Sequence, residues 1–187
     1  MLIEQAWVSY SHLSLMEIGM GFFDKLFGGN KPANITLKSP IKGDMINVTE
    51  IPDPTFAESV LGPTTCFKPG DDGTVYAPCD GVVTQIFKTA HAVTLTSTDN
   101  VEILIHVGIN TVDLKGEGFE ALVKDDDQVK AGQPLIRFDS KVIADHGLSN
   151  LVPVVVCNAS DFKSVEFIAP KAVTTDDDIC TIQPAEQ

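Results

Sequence analysis

The stretch from His91 to His106 reads His-Ala-Val-Thr-Leu-Thr-Ser-Thr-Asp-Asn-Val-Glu-Ile-Leu-Ile-His. A histidine stands at each outer end of two alternating runs that flank a polar turn, Ser97-Thr98-Asp99-Asn100. In an extended chain successive side chains point to opposite faces. Val101, Ile103, Ile105 and Val107 therefore share one face of the second run, and Glu102, Leu104 and His106 the other. On the first run His91, Val93 and Leu95 share a face. A two-residue turn at Thr98-Asp99 would set His91 directly opposite His106. A turn at Asp99-Asn100 would leave them diagonal on one face, and a three-residue loop would send them to opposite faces. Two-residue loops are the commonest hairpin connection, so the sequence predicts a pair of facing imidazoles.

Facing imidazoles can do chemistry. Free imidazole has a pKa of about 6.5, so a neutral ring nitrogen is a competent nucleophile near neutrality. Three uses stay open on the residues alone. One ring could be a nucleophile and the other its helper, in phosphoryl or acyl transfer. The two could be metal ligands, needing a third from elsewhere. They could also be two structural residues that meet in a strand pair.

The elements that must position these rings read as strands. β-Branched runs bounded by Gly, Pro, Asn and Asp recur at Ile35–Leu37, Met45–Thr49, Thr74–Tyr76, Val82–Phe87, Ala92–Thr96 and Val101–Val107. Four more follow at Pro134–Phe138, Val152–Cys157, Val165–Ile168 and Ile179–Ile182. No long helical period separates them. The pattern predicts an all-β fold, a mainly antiparallel β-sandwich or flattened barrel. Short helical turns are expected around Pro54–Val60 and Ser140–His146. Near the start, Phe22, Phe23, Leu26 and Phe27 fall on one helical face before Gly28-Gly29 ends it. With only Lys25 and Lys31 as nearby cations, membrane-surface binding is weakly supported. A short amphipathic helix that packs on the body or stays mobile is the favoured reading.

Composition narrows the classes of function. The chain has 187 residues, 13 basic and 26 acidic, for a net charge of −13. Such a surface repels phosphate backbones, so nucleic-acid binding is not expected. It suits solubility and docking to a basic partner. No apolar run reaches the roughly 18 residues needed to span a bilayer. The lead segment carries Glu4 and Glu17 without Lys or Arg, unlike a secretory signal. Cys66, Cys79, Cys157 and Cys180 form no C-x-x-C pair, and reduced thiols in the cytoplasm are expected.

The block Ile103–Phe119, with Tyr76-Ala-Pro-Cys-Asp-Gly-Val-Val83 and Pro153-Val-Val-Val156 followed by Asn158, resembles a known family. This is the glucose-family IIA component of the bacterial phosphoenolpyruvate-dependent sugar phosphotransferase system. The resemblance runs from about Gly21, through Phe22–Leu26, to Ile182. It implies an antiparallel sandwich with two histidines in a shallow depression. It implies that His106 is the phosphorylated nucleophile, that His91 stabilises the phosphoryl group, and that the Thr89 hydroxyl orients it. The donor would be the histidine-containing phosphocarrier protein and the acceptor a cysteine of a sugar-specific IIB domain, with no cofactor. Both partners would dock on one face, with Asp53 on its acidic rim and Phe56, Val60 and Phe87 as apolar contacts. Val93 falls where an aromatic is frequent, and Asn110 where the family commonly has Asp. These two thin the apolar ring and remove one acidic contact.

The expected division is an N-terminal extension over 1–33, carrying the amphipathic segment, and one IIA-type domain over 34–187. Residues 1–19 lack the family pattern, and Met20-Gly21 reads as its natural start. An alternative function is a non-catalytic regulatory module of the same fold, binding permeases or metabolic enzymes. Zinc could assist such binding adventitiously through His91 and His106 and a partner carboxylate. The runs Asp125–Asp127 and Asp176–Asp178 lack the alternating ligand spacing of a calcium loop and read as solvated turns. His12 and His146 read as surface residues.

Overall fold

The structure is a computed structural model, and it describes residues 33–186. The predicted helix at Phe22–Phe27, its lysines and His12 lie outside the described residues.

Strands dominate, and every strand pairing is antiparallel. The strands are β1 (Ile35–Lys38), β2 (Gly43–Ile46), β3 (Thr64–Pro69), β4 (Thr74–Tyr76), β5 (Gly81–Ile86), β6 (Ala92–Ser97) and β7 (Glu102–His106). They continue as β8 (Phe119–Ala121), β9 (Gln128–Val129), β10 (Pro134–Phe138), β11 (Val152–Val156), β12 (Phe162–Phe167), β13 (Ala172–Val173) and β14 (Asp178–Pro184). An eight-stranded sheet runs β13-β2-β3-β11-β7-β6-β5-β9. Two three-stranded sheets run β1-β14-β12 and β4-β10-β8. None of the three closes on itself, so the architecture is an open sandwich and not a barrel.

One core joins all three sheets. Leu37 from β1, Phe67 from β3, Val75 from β4, Ile103 and Ile105 from β7, Ile136 from β10 and Ile182 from β14 meet there. Alternation along the central strands explains which residues enter it. On β11, Val152, Val154 and Val156 face this core, whereas Val155 faces away. On β7, Ile103 and Ile105 face inward, and Leu104 turns outward. A second, smaller cluster forms on that outer face from Ile51, Phe56, Cys66, Ile109 and Val155, with Leu104 and Leu151 against it.

Two short helices were expected where they occur. Helix α1 (Pro54–Ala57) begins at Asp53, whose carboxylate accepts from the Thr55 amide at 2.8 Å, with Pro54 in the first turn. It carries Phe56 over the smaller cluster. Helix α2 (Ser140–Asp145) is capped by Asp139, which accepts from the Lys141 amide at 2.8 Å, and it seals the core with Ile143.

The hairpin of β6 and β7 departs from the expected register. Ala92, not His91, pairs with His106, and Thr96 pairs with Glu102. The connection is the three-residue loop Thr98-Asp99-Asn100, closed by Ser97 N to Val101 O at 2.9 Å. Asn100 takes the left-handed conformation that such a loop needs (φ 59°). The Ser97 hydroxyl tightens it by accepting from the amides of Asp99 and Val101. The strand expected over Met45–Thr49 stops at Ile46. There the Glu50 carboxylate accepts from the Asn47 amide at 3.1 Å and the chain enters a 3-10 turn, Val48–Glu50.

Because β7 sits at the centre of the large sheet with its inner face in the core, its packing positions the histidine at its end. Ile105→Ala should lower stability by roughly 2–5 kcal/mol in urea unfolding. A loss below about 1 kcal/mol would show that this strand does not depend on its inward face.

Candidate functional site

His106 ends β7 on the outward face, above the smaller apolar cluster. His91 lies one residue before β6. With the observed register, strict alternation would send its ring to the opposite face from His106. It does not go there, because the chain has not yet become a regular strand. The Ala90 amide donates to Phe87 O at 2.7 Å, and Ala90 has a positive φ of 52°. That left-handed residue re-aims the side chain that follows it. The two ring centroids lie 4.9 Å apart at a tilt of 77°. The facing pair therefore exists, through a turn rather than through the two-residue hairpin loop.

Phenylalanines flank the pair. Phe56 stands 5.4 Å from the His106 ring and Phe87 stands 5.4 Å from the His91 ring, centroid to centroid. The four rings form a row: Phe87, His91, His106, Phe56. Phe56 is almost fully buried, so it serves as wall more than as surface. Phe87 is half-buried.

Hydrogen bonds orient both imidazoles. His106 Nδ1 lies 2.7 Å from the Gly108 carbonyl. A carbonyl only accepts, so Nδ1 carries the proton and the neutral ring keeps its lone pair on Nε2. His91 Nδ1 lies 2.5 Å from the Thr89 hydroxyl. A hydroxyl can donate or accept, so this contact holds the ring in place and admits either tautomer.

Burial keeps both rings uncharged. Desolvation is the main influence on His91, the proximity of His106 adds to it, and the pKa is lowered to about 4. Desolvation also lowers that of His106, opposed by the bond to Gly108 and by the Asp53 carboxylate.

The remaining predicted residues separate. Asp53 is half-buried, caps α1 and acts electrostatically on His106. Val60 is strongly exposed, at 67%. Asn110 is exposed and left-handed (φ 60°), a conformation that Asn and Asp adopt more readily than most residues. Val93 is a correction: it is fully buried in the main core and cannot contact a docked partner. The sequence reading missed Leu61 and Val112, which are exposed apolar residues beside Val60 and near Asn110. It also missed Gly108, whose carbonyl meets His106 Nδ1, and the buried Thr111. A Gly two residues past the strand end was the available signal for the first of these.

Other candidate groups do less. The groove lined by Asp71, Asp72, Arg137 and Lys141 contains neither histidine. The acidic runs cap backbone amides: Asp125 accepts from the distant Ile86 amide at the end of β5, and Asp127 and Asp177 close turns by accepting from the amides of Lys124 and Thr174. Among the described residues no group of three or more His, Cys, Asp and Glu is placed to hold a metal ion. The free Nε2 of His106 and its counterpart on His91 could supply two ligands at most. All four cysteines are free, and burial pushes the Cys66, Cys79 and Cys180 thiols up to about 12. His146 is exposed, as expected. Among the described residues no helix is long and apolar enough to cross a membrane.

Fold and site define a class: an antiparallel β-sandwich that seats two neutral imidazoles on the outer face of its large sheet. The family model for the phosphoenolpyruvate-dependent sugar phosphotransferase system, EIIA 1, matches residues 35–162. The glucose-specific EIIA component of the Oceanobacillus iheyensis system is 41% identical over 144 residues, 77% of this chain and 87% of that protein. The glucose-specific EIICBA component of Staphylococcus carnosus is 45% identical over 120 residues, 64% of this chain and 18% of that protein. The glucose permease IIA structure from Mycoplasma capricolum superposes with a TM-score of 0.74 at 32% identity, covering 80% of this chain and 96% of that one. The chain belongs to the EIIA 1 family of the phosphoenolpyruvate-dependent sugar phosphotransferase system, whose work is phosphotransfer in sugar uptake.

The lowered pKa values carry a stability consequence. As pH falls below about 6.5, the unfolded chain takes up protons that the folded rings refuse. Stability is therefore greatest above that value and declines toward about 4, the level to which His91 is lowered. Denaturant unfolding at about pH 7.5 and about pH 5 should show the decline. His91→Gln should lose less across the same interval, by the order of 1–2 kcal/mol. Equal losses in the two proteins would mean that His91 is not held neutral by the fold.

Proposed function

We propose that His106 carries a phosphoryl group on Nε2, receiving it from the histidine-containing phosphocarrier protein and passing it to a cysteine of a sugar-specific IIB domain. The observation that carries this reading is the bond from His106 Nδ1 to the Gly108 carbonyl, which leaves the Nε2 lone pair unprotonated beside a second imidazole.

The Nε2 lone pair attacks phosphorus in line with the donor's N–P bond. A new N–P bond forms as the old one breaks, and the breaking pair of electrons stays on the donor's ring. In the second transfer the IIB thiolate attacks the same phosphorus, and the electron pair returns to Nε2. No step needs an external proton, because His106 keeps the one on Nδ1 throughout. Catalysis is then positioning and charge stabilisation. With Thr89 donating to His91 Nδ1, the His91 proton sits on Nε2, where it can donate to a phosphoryl oxygen. The low pKa favours a neutral His91 that donates without first being charged.

Half-buried Phe87 and exposed Val60 suit a docking face whose cations come from the partner, with buried Phe56 as its backing wall. Asp53 and Asn110 form its polar edge. The name of the Staphylococcus carnosus relative, EIICBA, supports IIB as the acceptor. This reading requires the cytoplasm, the compartment of the phosphoenolpyruvate-driven relay.

Intact-protein mass spectrometry at neutral to basic pH tests it, with phosphoenolpyruvate, the first enzyme of the relay and its histidine phosphocarrier. The wild-type chain should gain one acid-labile phosphoryl adduct, and His106→Gln none. His91→Gln should still gain it but pass it to IIB roughly 100-fold more slowly. Unimpaired turnover by both variants would rule the site out. A folded wild-type chain that takes no adduct from active donors would favour the regulatory binding module instead.

A further inference from the structure

We propose that Thr111 is a positioning residue for His106, fixing through the backbone the carbonyl that sets the reactive tautomer. Thr111 is fully buried, an unusual place for a hydroxyl unless it is used. Its Oγ1 donates to the Val107 carbonyl at 2.5 Å. The same peptide unit ends in the Gly108 amide, which donates to Leu151 O at 2.8 Å. That plane is thus held at both ends.

The next peptide unit is held as well. Its amide, on Ile109, donates to Ser149 O at 2.9 Å, and its oxygen is the Gly108 carbonyl that receives His106 Nδ1. Two fixed planes leave little freedom in the φ of Gly108 between them, which is +77°. That angle aims the carbonyl back at the ring. Glycine is required there on two counts. The angle is left-handed, and a Cβ would come within 2.3 Å of Thr111 Cγ2 and 2.9 Å of Ser149 O. Thr111 thus does two things: its hydroxyl anchors one plane, and its methyl fills the space that the glycine leaves.

Without the hydroxyl, the Val107–Gly108 unit loses one of its two anchors and the Gly108 carbonyl can turn from the ring. The proton of His106 then redistributes between Nδ1 and Nε2, and the protonated Nε2 fraction cannot attack. The effect on phosphotransfer rests on His106 being the phosphoryl carrier. The effect on the tautomer does not.

The test uses the full chain labelled with nitrogen-15 and long-range proton–nitrogen correlation spectra of the imidazoles at about pH 7.5. Wild type should show His106 protonated at Nδ1 with a bare Nε2. Thr111→Val keeps the shape and removes the donor. It should add the second tautomer and slow phosphoryl acceptance about tenfold. Thr111→Ser keeps the donor and should restore the single tautomer, with acceptance within about threefold of wild type. A merely structural role would lower the melting temperature of both variants and leave the tautomer alone. Should Thr111→Val fail to fold, Thr111→Cys, of similar size with a weaker donor, takes its place with the same outcomes. A single Nδ1–H tautomer and wild-type acceptance in the donor-less variant would overturn the proposal, as would Nε2 protonation in wild type. A tautomer shift in a chain whose wild type accepts no phosphoryl group would uphold the clamp and overturn the proposed function.

Discussion

A carbonyl oxygen has no proton to give, so the contact between Gly108 and His106 Nδ1 decides where the ring's single proton resides. Much of the local structure serves that contact. Gly108 must take a left-handed angle to turn its carbonyl back, and Asn110 must take another to bring the chain away. The segment Ser149–Leu151 supplies two carbonyls that hold the amides of Gly108 and Ile109. It leads directly into β11, the neighbour of β7 in the large sheet. The sheet therefore fixes the strand end, and the strand end fixes the ring. An imidazole on a free loop would sample both tautomers and both orientations.

Burial and charge pull against each other at this site. The Phe56 and Phe87 rings beside the histidines disfavour the charged imidazolium, whereas Asp53 and the Gly108 carbonyl favour it at His106. Desolvation is the larger influence at both rings. The outcome is two neutral bases in a chain that carries a net charge of −13. Such neutrality keeps nitrogen lone pairs available near pH 7, and it costs stability only when acid offers protons that the rings refuse.

The sandwich was legible because its strands follow simple rules. Ile103 and Ile105 alternate with Leu104 and His106, and the central sheet reproduces that alternation. Strand β3 was not legible, although it is an interior strand of the large sheet. Its Thr-Thr-Cys-Phe run buries three consecutive residues and sits between two prolines, so it shows neither alternation nor a long apolar block. The hairpin was read with the wrong loop length. The polar run Ser97–Asn100 allows several turns, and the choice rests on the Ser97 hydroxyl and a left-handed Asn100. The facing histidines survive that error because Ala90 breaks the alternation just ahead of His91. Two departures from regularity cancel, and periodicity predicts neither. Val93 was misplaced for the opposite reason. It obeys the alternation faithfully and goes into the core. Thr111 and Gly108 act through bonds between side chain and backbone, which leave no period in a sequence.

The two histidines are anchored by chemically different groups, and the difference divides their capacities. A carbonyl holds His106 in one tautomer, so its Nε2 is always an acceptor while the ring is neutral. A hydroxyl holds His91, and a hydroxyl can reverse its role without moving its oxygen. His91 can therefore present Nε2 either as a lone pair or as an N–H, at little geometric cost. A phosphoryl carrier needs a nitrogen whose lone pair is permanently exposed. Its helper must face that lone pair when the site is empty and phosphoryl oxygens when it is loaded. Both neighbours are acceptors, so the helper must present Nε2–H to each, which an anchor that donates to Nδ1 allows. If the anchors were exchanged, the nucleophile would spend part of its time protonated at Nε2 and the helper would have no Nε2–H to donate. The proposed roles, carrier for His106 and helper for His91, match the oxygen that each Nδ1 meets.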